Sequence, residues 1–243
     1  MRVPHIYQPI SLKPGLHIEL DERAHRHLNQ VLRMRVGDAI TVFDGLGQAC
    51  HATIASADRK SSQVLLGEAI TEIKESALKT HLGLGISKGE RMDIAIQKAV
   101  ELGVSEITPL FTQYCMVKLD TERQQKRLEH WQGVMISACE QCGRTRLAQI
   151  NPIIPAQDWL ENQTTGLRLV LDPRSSQSLT EIQPTPEHVS IYIGPEGGLS
   201  SEEIEQARHC GFQGVRLGPR VLRTETAVIA GLTAVQLQWG DLG

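Results

Sequence analysis

Over the first seventy residues, apolar and polar positions alternate in short runs at 16–20, 39–43, 49–54 and 62–66, the period of half-buried strands. Turn residues part these runs at Val36-Gly37-Asp38, Asp44-Gly45-Leu46-Gly47 and Ala57-Asp58-Arg59-Lys60, and one short helix is predicted over 22–33. Closely spaced strands with a single helix predict a small β-barrel. Between Thr71 and Thr80 the chain turns polar, with Glu72, Lys74, Glu75 and Lys79 in quick succession, so a boundary is placed there, giving domains 1–72 and 73–243. Beyond it the periodicity switches. A strand at 81–86 precedes a helix at 90–102 with Met92, Ala95, Ile96, Ala99 and Leu102 on one face and Gly103 as its stop. A strand at 104–111, a long helix at 121–142 opened by a Thr121-x-x-Gln124 capping box, and strands at 167–171, 188–193 and 215–217 follow. Helices at 201–210 and 226–238 complete an alternation that predicts an α/β domain with a parallel sheet.

Two segments of that domain carry candidate chemistry. Ile191-Tyr192-Ile193-Gly194-Pro195-Glu196-Gly197-Gly198-Leu199-Ser200 and Leu217-Gly218-Pro219-Arg220-Val221-Leu222-Arg223-Thr224-Glu225-Thr226-Ala227 each read as strand, glycine and proline turn, then helix start. Glycines there let backbone groups approach a ligand, and Pro195 and Pro219 stiffen the turns. Ser200 and Glu203 form a capping box for the following helix, which Gly211 is placed to stop. Two such turns at one edge of a parallel sheet make a candidate cofactor cradle. Neither has the Gly-Lys-Ser/Thr ending of a P-loop or the Gly-x-Gly-x-x-Gly spacing of a dinucleotide site. A second glycine cluster, Gly83-Leu84-Gly85-Ile86-Ser87-Lys88-Gly89, is a partial dinucleotide match with Lys88 where the third glycine belongs; its loop can instead present Lys88 and Arg91 to a polyanion.

Composition narrows the picture. The 243-residue chain has a formal net charge of −3, so any nucleic-acid binding must come from a local basic surface. Arg2, Arg23, Arg26, Arg33 and Arg35, with His25 and His27, supply one; aromatic residues are 4% of the chain, which favours phosphate and shape contacts over base stacking there. The N-terminus has no apolar h-region and no run of eighteen uncharged apolar residues occurs, so a cytoplasmic protein without a membrane span is expected. Five cysteines, an odd number, suit a reducing compartment, and Cys139-Glu140-Gln141-Cys142 falls at a helix end rather than a helix start, so structural thiols and no metal are expected. The last helix is apolar over most of its surface and is expected to be buried on more than one side, against a second subunit.

These motifs together resemble a known family, the SPOUT-class ribosomal RNA methyltransferases that methylate N3 of a uridine in small-subunit 16S rRNA. The likeness runs through His27-Leu28-x-x-Val31-Leu32-Arg33, Phe43-Asp44-Gly45, Lys88-Gly89-Glu90-Arg91-Met92-Asp93, Gln97-Lys98-Ala99-x-Glu101-Leu102-Gly103-Val104 and Ala138-Cys139-Glu140-Gln141-Cys142-Gly143-Arg144, then both glycine and proline turns. The resemblance implies an N-terminal PUA-like β-barrel that binds RNA, a C-terminal SPOUT α/β domain tied in a deep trefoil knot, S-adenosylmethionine as cofactor, a homodimer, and the small ribosomal subunit as partner. By that analogy Leu171, Gly194, Glu196, Gly197, Gly198, Leu217, Gly218 and Leu222 line the cofactor pocket. RNA contacts are expected from Arg2, Arg26, Arg33, Lys88, Arg91 and Arg144.

Uracil N3 carries a proton that must leave as the new bond forms, so a positioned base, or a cation favouring the uracil anion, is required. Glu225, Glu140 and Glu196 are the candidate carboxylates, and Arg223, Arg220, Arg144 and Arg91 the candidate cations. Arg223 with Glu225 is the preferred pair, since both directly follow the second turn, and Glu140 stays beside them as a catalytic candidate. Two rivals remain: an RNA-binding assembly protein that keeps the fold without the chemistry, and a nucleotide enzyme built on residues 83–89.

Overall fold

A computed structural model describes residues 3–72, 75–115, 120–183 and 185–243. It divides into two compact units, Met1–Glu75 with Cys139–Leu147, and Ser76–Ala138 with Ala148–Gly243.

The first unit holds a five-stranded sheet of β1 (His5–Tyr7), β2 (His17–Glu19), β3 (Ala39–Phe43), β4 (Ala49–Ala57) and β5 (Ser62–Ile70), in the order β1-β3-β4-β5-β2. Only β1 and β3 run parallel; the other pairs are antiparallel. Ile6, Ile40, Val42, Ile54, Val64 and Leu66 point into one apolar core with Leu28 of the adjoining helical segment. That segment is shorter and more irregular than its sequence suggests. Helix α1 (Glu22–Arg26) is capped by the Asp21 carboxylate, which accepts the Ala24 N–H at 2.7 Å. It then widens into a π-helical turn (His27–Val31), and Arg33, with φ of 52°, ends it.

The segment 139–147 joins this unit through polar contacts. Arg23 Nη1 and Nη2 donate to Glu140 Oε2 and Oε1 at 2.9 and 2.8 Å, and Glu140 Oε1 also accepts the Tyr7 N–H at 3.0 Å. Arg144, itself buried, donates from Nε and Nη2 to Glu75 Oε2 at 3.0 and 2.8 Å. Sequence periodicity carries no trace of these contacts, since the partners lie far apart along the chain.

The second unit is built on a wholly parallel sheet of β6 (Lys79–Gly85), β7 (Glu106–Phe111), β8 (Gln149–Ile150), β9 (Ile154–Pro155), β10 (Leu167–Leu171), β11 (His188–Ile193) and β12 (Gln213–Val215). Its order is β12-β10-β11-β6-β7-β8, with β9 also on β7. Helix α2 (Glu90–Glu101) buries Met92, Ala95, Ile96 and Ala99, and Gly103 follows it with φ of 79°. Helix α3 (Thr121–Cys142) has the predicted span, but its cap is Asp120 rather than Thr121: the Asp120 carboxylate accepts the Arg123 N–H at 2.8 Å. Helices α4 (Ala156–Asn162), α5 (Ser201–His209) and α6 (Thr224–Trp239) complete the unit. The last strand ends at Val215, where sequence reading has it begin, because Leu217 and Gly218 belong to the turn that follows.

Trp159 of α4 occupies the space beside Gly83, where any Cβ would stand 2.5 Å from the indole ring. It packs with Tyr192, Phe212, Leu110 and Val170 in an apolar cluster. Its Nε1 donates to His81 Nε2 at 3.1 Å, so that nitrogen is the unprotonated one and His81 is neutral. Burial first, and the nearby His188 second, hold the His81 pKa below the ordinary histidine value, despite the opposing pull of Glu106. Thr108 and Asn151 extend this buried polar chain to Glu106.

Candidate cofactor and substrate site

At the opposite, carboxyl end of the sheet, the exits of β10, β11 and β12 and the start of α6 enclose a cavity of about 390 Å³, within the ~300–1,000 Å³ usual for small-molecule sites. Leu171, Gly194, Glu196, Gly197, Gly198, Leu217, Gly218 and Leu222 all line it, so the structure brings together the eight residues assigned to the cofactor.

Local chemistry explains the shape of this edge. Gly194 has no room for a side chain: its Cβ would lie 2.9 Å from the Gly198 carbonyl carbon and from Leu199. Gly218 adopts φ of 81° with nothing within 4 Å of its absent Cβ, leaving backbone exposed toward free space. The predicted capping box is present, with Glu203 accepting the Ser200 N–H at 2.9 Å and Ser200 Oγ accepting the Glu203 N–H at 3.1 Å. The two turns are tied to each other by Thr224 Oγ1, which donates to the Gly194 carbonyl at 3.2 Å. Thr224 is buried and lines the cavity, yet a lone threonine at a helix start gives no sign of this in sequence.

Asp172 is a second residue that sequence reasoning missed. It is 2% exposed, lines the cavity, and accepts the Arg174 N–H at 3.0 Å, Arg174 Nε at 3.1 Å and Arg208 Nη2 at 3.3 Å. An acid immediately after an apolar strand and before Pro173 is the signal that could have marked it.

Glu196 joins the first turn to the loop before α2. Its Oε1 accepts the Lys88 N–H at 2.9 Å and Arg91 Nη1 at 3.1 Å. Burial alone would raise this carboxyl, but hydrogen bonds from its own backbone N–H, the Lys88 N–H and Arg91 outweigh it and hold it below the usual carboxylate range. Lys88 and Arg91, both assigned to RNA, therefore stand beside a cavity-lining residue with their side chains exposed.

The dinucleotide reading of residues 83–89 fails here. Gly83 and Gly85 lie inside β6, one against Trp159 and the other with Pro195 Cδ 2.5 Å from where its Cβ would be. Neither forms a phosphate loop.

The catalytic candidates separate. Arg223 and Glu225 flank Thr224 without lining the cavity themselves; Arg223 is exposed at the start of α6, and Glu225 Oε2 is buried with no hydrogen-bond partner. Glu140 belongs to the first unit, where Arg23 and the Tyr7 N–H occupy both of its oxygens, the arrangement of a structural anchor rather than a free base. Arg144, also assigned to RNA, is buried and bonded to Glu75. In the expected basic cluster, Arg26 pairs with Glu22, Arg33 is exposed, and Arg2 lies outside the described residues. His25 is not on a solvated face: it is buried, with Nδ1 at 2.9 Å from Ser62 Oγ. None of the five cysteines is in a disulfide, and no group of three or more His, Cys, Asp or Glu side chains among the described residues could hold a metal ion.

An α/β unit with a glycine-lined cavity beyond its strand ends, joined in sequence to a small mixed-sheet unit, is the build of a two-unit α/β protein that binds a small ligand at its sheet edge. Residues 74–236 match the family model for an RNA methyltransferase domain, and residues 20–66 match that for an RNA methyltransferase PUA domain. The chain belongs to the ribosomal RNA small subunit methyltransferase E family. It is 38% identical to the ribosomal RNA small subunit methyltransferase E of Buchnera aphidicola (subsp. Schizaphis graminum), over 99% of this chain and 98% of that one. Among solved structures, a Legionella pneumophila methyltransferase in complex with bound SAM is 40% identical, with a TM-score of 0.96 over 100% of both chains. A ribosomal RNA small subunit methyltransferase E from Neisseria gonorrhoeae bound to S-adenosyl methionine is 38% identical, with a TM-score of 0.94 over 100% of both.

Proposed function

We propose that this chain transfers a methyl group from S-adenosylmethionine to N3 of a uridine in 16S rRNA of the small ribosomal subunit, during its maturation in the cytoplasm. The observation that carries this reading is the cavity at the carboxyl edge, where two glycine and proline turns and Leu171 at the end of β10 bring eight lining residues together around bare backbone. The cavity fits the cofactor: backbone amides and carbonyls at Gly194 to Gly198 and at Gly218 can read a heterocycle, while Leu171, Leu217 and Leu222 offer apolar contact. When bound, S-adenosylmethionine supplies a methyl group on a positively charged sulfur, open to an in-line nucleophile.

The chain's own residues then have three tasks. Thr224 and Glu196 hold the two turns in place, one through the Gly194 carbonyl and the other through Lys88 and Arg91. Glu225, directly after the cavity-lining Thr224 at the start of α6, is assigned to accept the N3 proton of the uracil. Arg223 favours the uracil anion by its positive charge. Lys88, Arg91, Arg26, Arg33 and Arg2 contact RNA phosphates.

The same reading takes residues 1–72 as a PUA-like RNA-binding unit and 73–243 as the SPOUT methyltransferase unit with its trefoil knot, the Thr224–Gly194 bond joining the turns through which such a knot would run. It also includes a homodimer. Support comes from α6, which leaves the apolar side chains Ile229 and Leu237 exposed.

Calorimetric titration with S-adenosylmethionine, followed by methyl transfer to naked 16S rRNA and to small-subunit particles, tests the proposal. Saturable binding and label on a uridine N3, located by mass spectrometry, are the expected results. Absence of cofactor binding, or label on a base carbon or a ribose, overturns it.

A further inference from the structure

Most of the chain's aromatic rings are buried or half-buried. Trp131, Trp159, Tyr192, Phe43 and Phe212 are buried and Tyr7, Phe111 and Trp239 half-buried, whereas Tyr114 is 47% exposed, more than any other Phe, Trp or Tyr among the described residues. Its position is not arbitrary. Tyr114 lies in the loop after β7 and rests on the first turn of the cofactor cavity: a Cβ at Gly197 would come 2.7 Å from the Tyr114 Cβ. Both of its neighbours are pinned. The Gln113 N–H donates to Glu203 Oε1 at 2.9 Å, using the same carboxylate that caps α5 through Ser200. The Cys115 N–H donates to the Thr112 carbonyl at 3.1 Å, and Cys115 Sγ approaches the Ile86 carbonyl at 3.7 Å. The backbone is thus fixed on both sides while the ring stays open to solvent.

A preset, exposed ring beside a cavity for a methyl donor meets a specific need. An enzyme acting on a base edge must take that base out of its helical stack, and the lost stacking is recovered on a protein surface, most often an aromatic one. Arg91, close by through its bond to Glu196 on the same turn, offers a cation for the strand's phosphates. We infer that Tyr114 is a stacking platform for an unpaired base of the RNA strand held at the cofactor cavity, which makes it a substrate-binding residue. The inference rests on the RNA methyltransferase reading above. It leaves the expectation of phosphate and shape contacts at the basic cluster of the first unit as it stands and adds stacking at the second.

The experiment compares wild type, Y114A, Y114F and Y114L for binding of a fluorescently labelled 16S rRNA fragment, for steady-state methyl transfer, for S-adenosylmethionine affinity by calorimetry, and for sedimentation. Y114A and Y114L are expected to weaken RNA binding and raise KM for RNA roughly tenfold or more, as for loss of one base–aromatic stack. Y114F, which keeps the ring, restores both, while cofactor affinity and sedimentation stay as in wild type. RNA affinity in Y114A equal to wild type overturns the inference, as does a loss that Y114F fails to restore or one that tracks a change in oligomeric state. If wild type binds neither cofactor nor RNA, the functional reading itself has failed; if wild type binds both and Y114A is indifferent, only the platform has.

Discussion

Two polar clusters, one at each end of the parallel sheet, differ in how their groups are paired. At the amino end, His81, Trp159, Thr108, Asn151 and Glu106 satisfy one another in a buried chain of hydrogen bonds. At the carboxyl end, backbone at Gly218 faces open space and a buried oxygen of Glu225 has no partner. Both belong to one sheet, β6 and β7 carrying the first and the exits of β10, β11 and β12 the second. A polar network closed on itself fixes the fold, whereas one left open is complementary to something that must arrive. Glu140, held on both oxygens by Arg23 and the Tyr7 N–H, and Glu225, with one oxygen unpartnered, show the two cases.

The comparison can be broken most forcefully at Trp159. Its replacement by alanine is expected to destabilise the protein by ~3–5 kcal/mol, the usual cost of deleting a large buried ring. Thermal unfolding should register this as a lowered Tm, with cofactor affinity retained below the transition; an unchanged Tm would mean that the amino end is not the structural one. Glu225→Gln is the mirror experiment. Removing an oxygen that no protein group uses should leave Tm nearly unmoved but slow methyl transfer by about 100-fold or more, the scale of general-base catalysis. Turnover equal to wild type under saturating RNA and cofactor would reassign the proton acceptor.

The smallest effect concerns pH. Because burial keeps the His81 pKa low, the unfolded chain takes up the proton first as pH falls. The contribution of His81 is therefore complete above the ordinary histidine value of about 6.5 and is lost progressively below it. Unfolding by urea at a series of pH values should show stability falling through that range, and His81→Gln should flatten the decline.

How much of this was legible in sequence depends on range. Features fixed by neighbours a few residues apart were plain: the Ser200–Glu203 capping box, the stops at Gly103 and Gly211, and the two turns whose residues converge on one cavity. Features that depend on distant partners were not. Nothing near Glu140 in sequence points to Arg23, nor anything near Arg144 to Glu75. Strand β1 is only three residues long and pairs in parallel with β3, so it shows no alternation to read. Helix α4, seven residues after Pro155, is too short to display a helical period, although it delivers the indole around which the sheet's core is built.

The pairing of β6 with β11, from Lys79 beside His188 to Leu84 beside Ile193, has a consequence for biosynthesis. More than a hundred residues separate these neighbours at the middle of the sheet. At about 5–20 residues per second, the ribosome needs on the order of ten seconds to deliver the second strand after the first. Through that interval β6, with Leu82 and Leu84 already emerged, has one open hydrogen-bonding edge and an apolar surface without its partner. The nascent chain is expected to depend most on chaperones in this window, and slowing translation downstream of β6 should lower the yield of folded protein more than slowing it before Lys79.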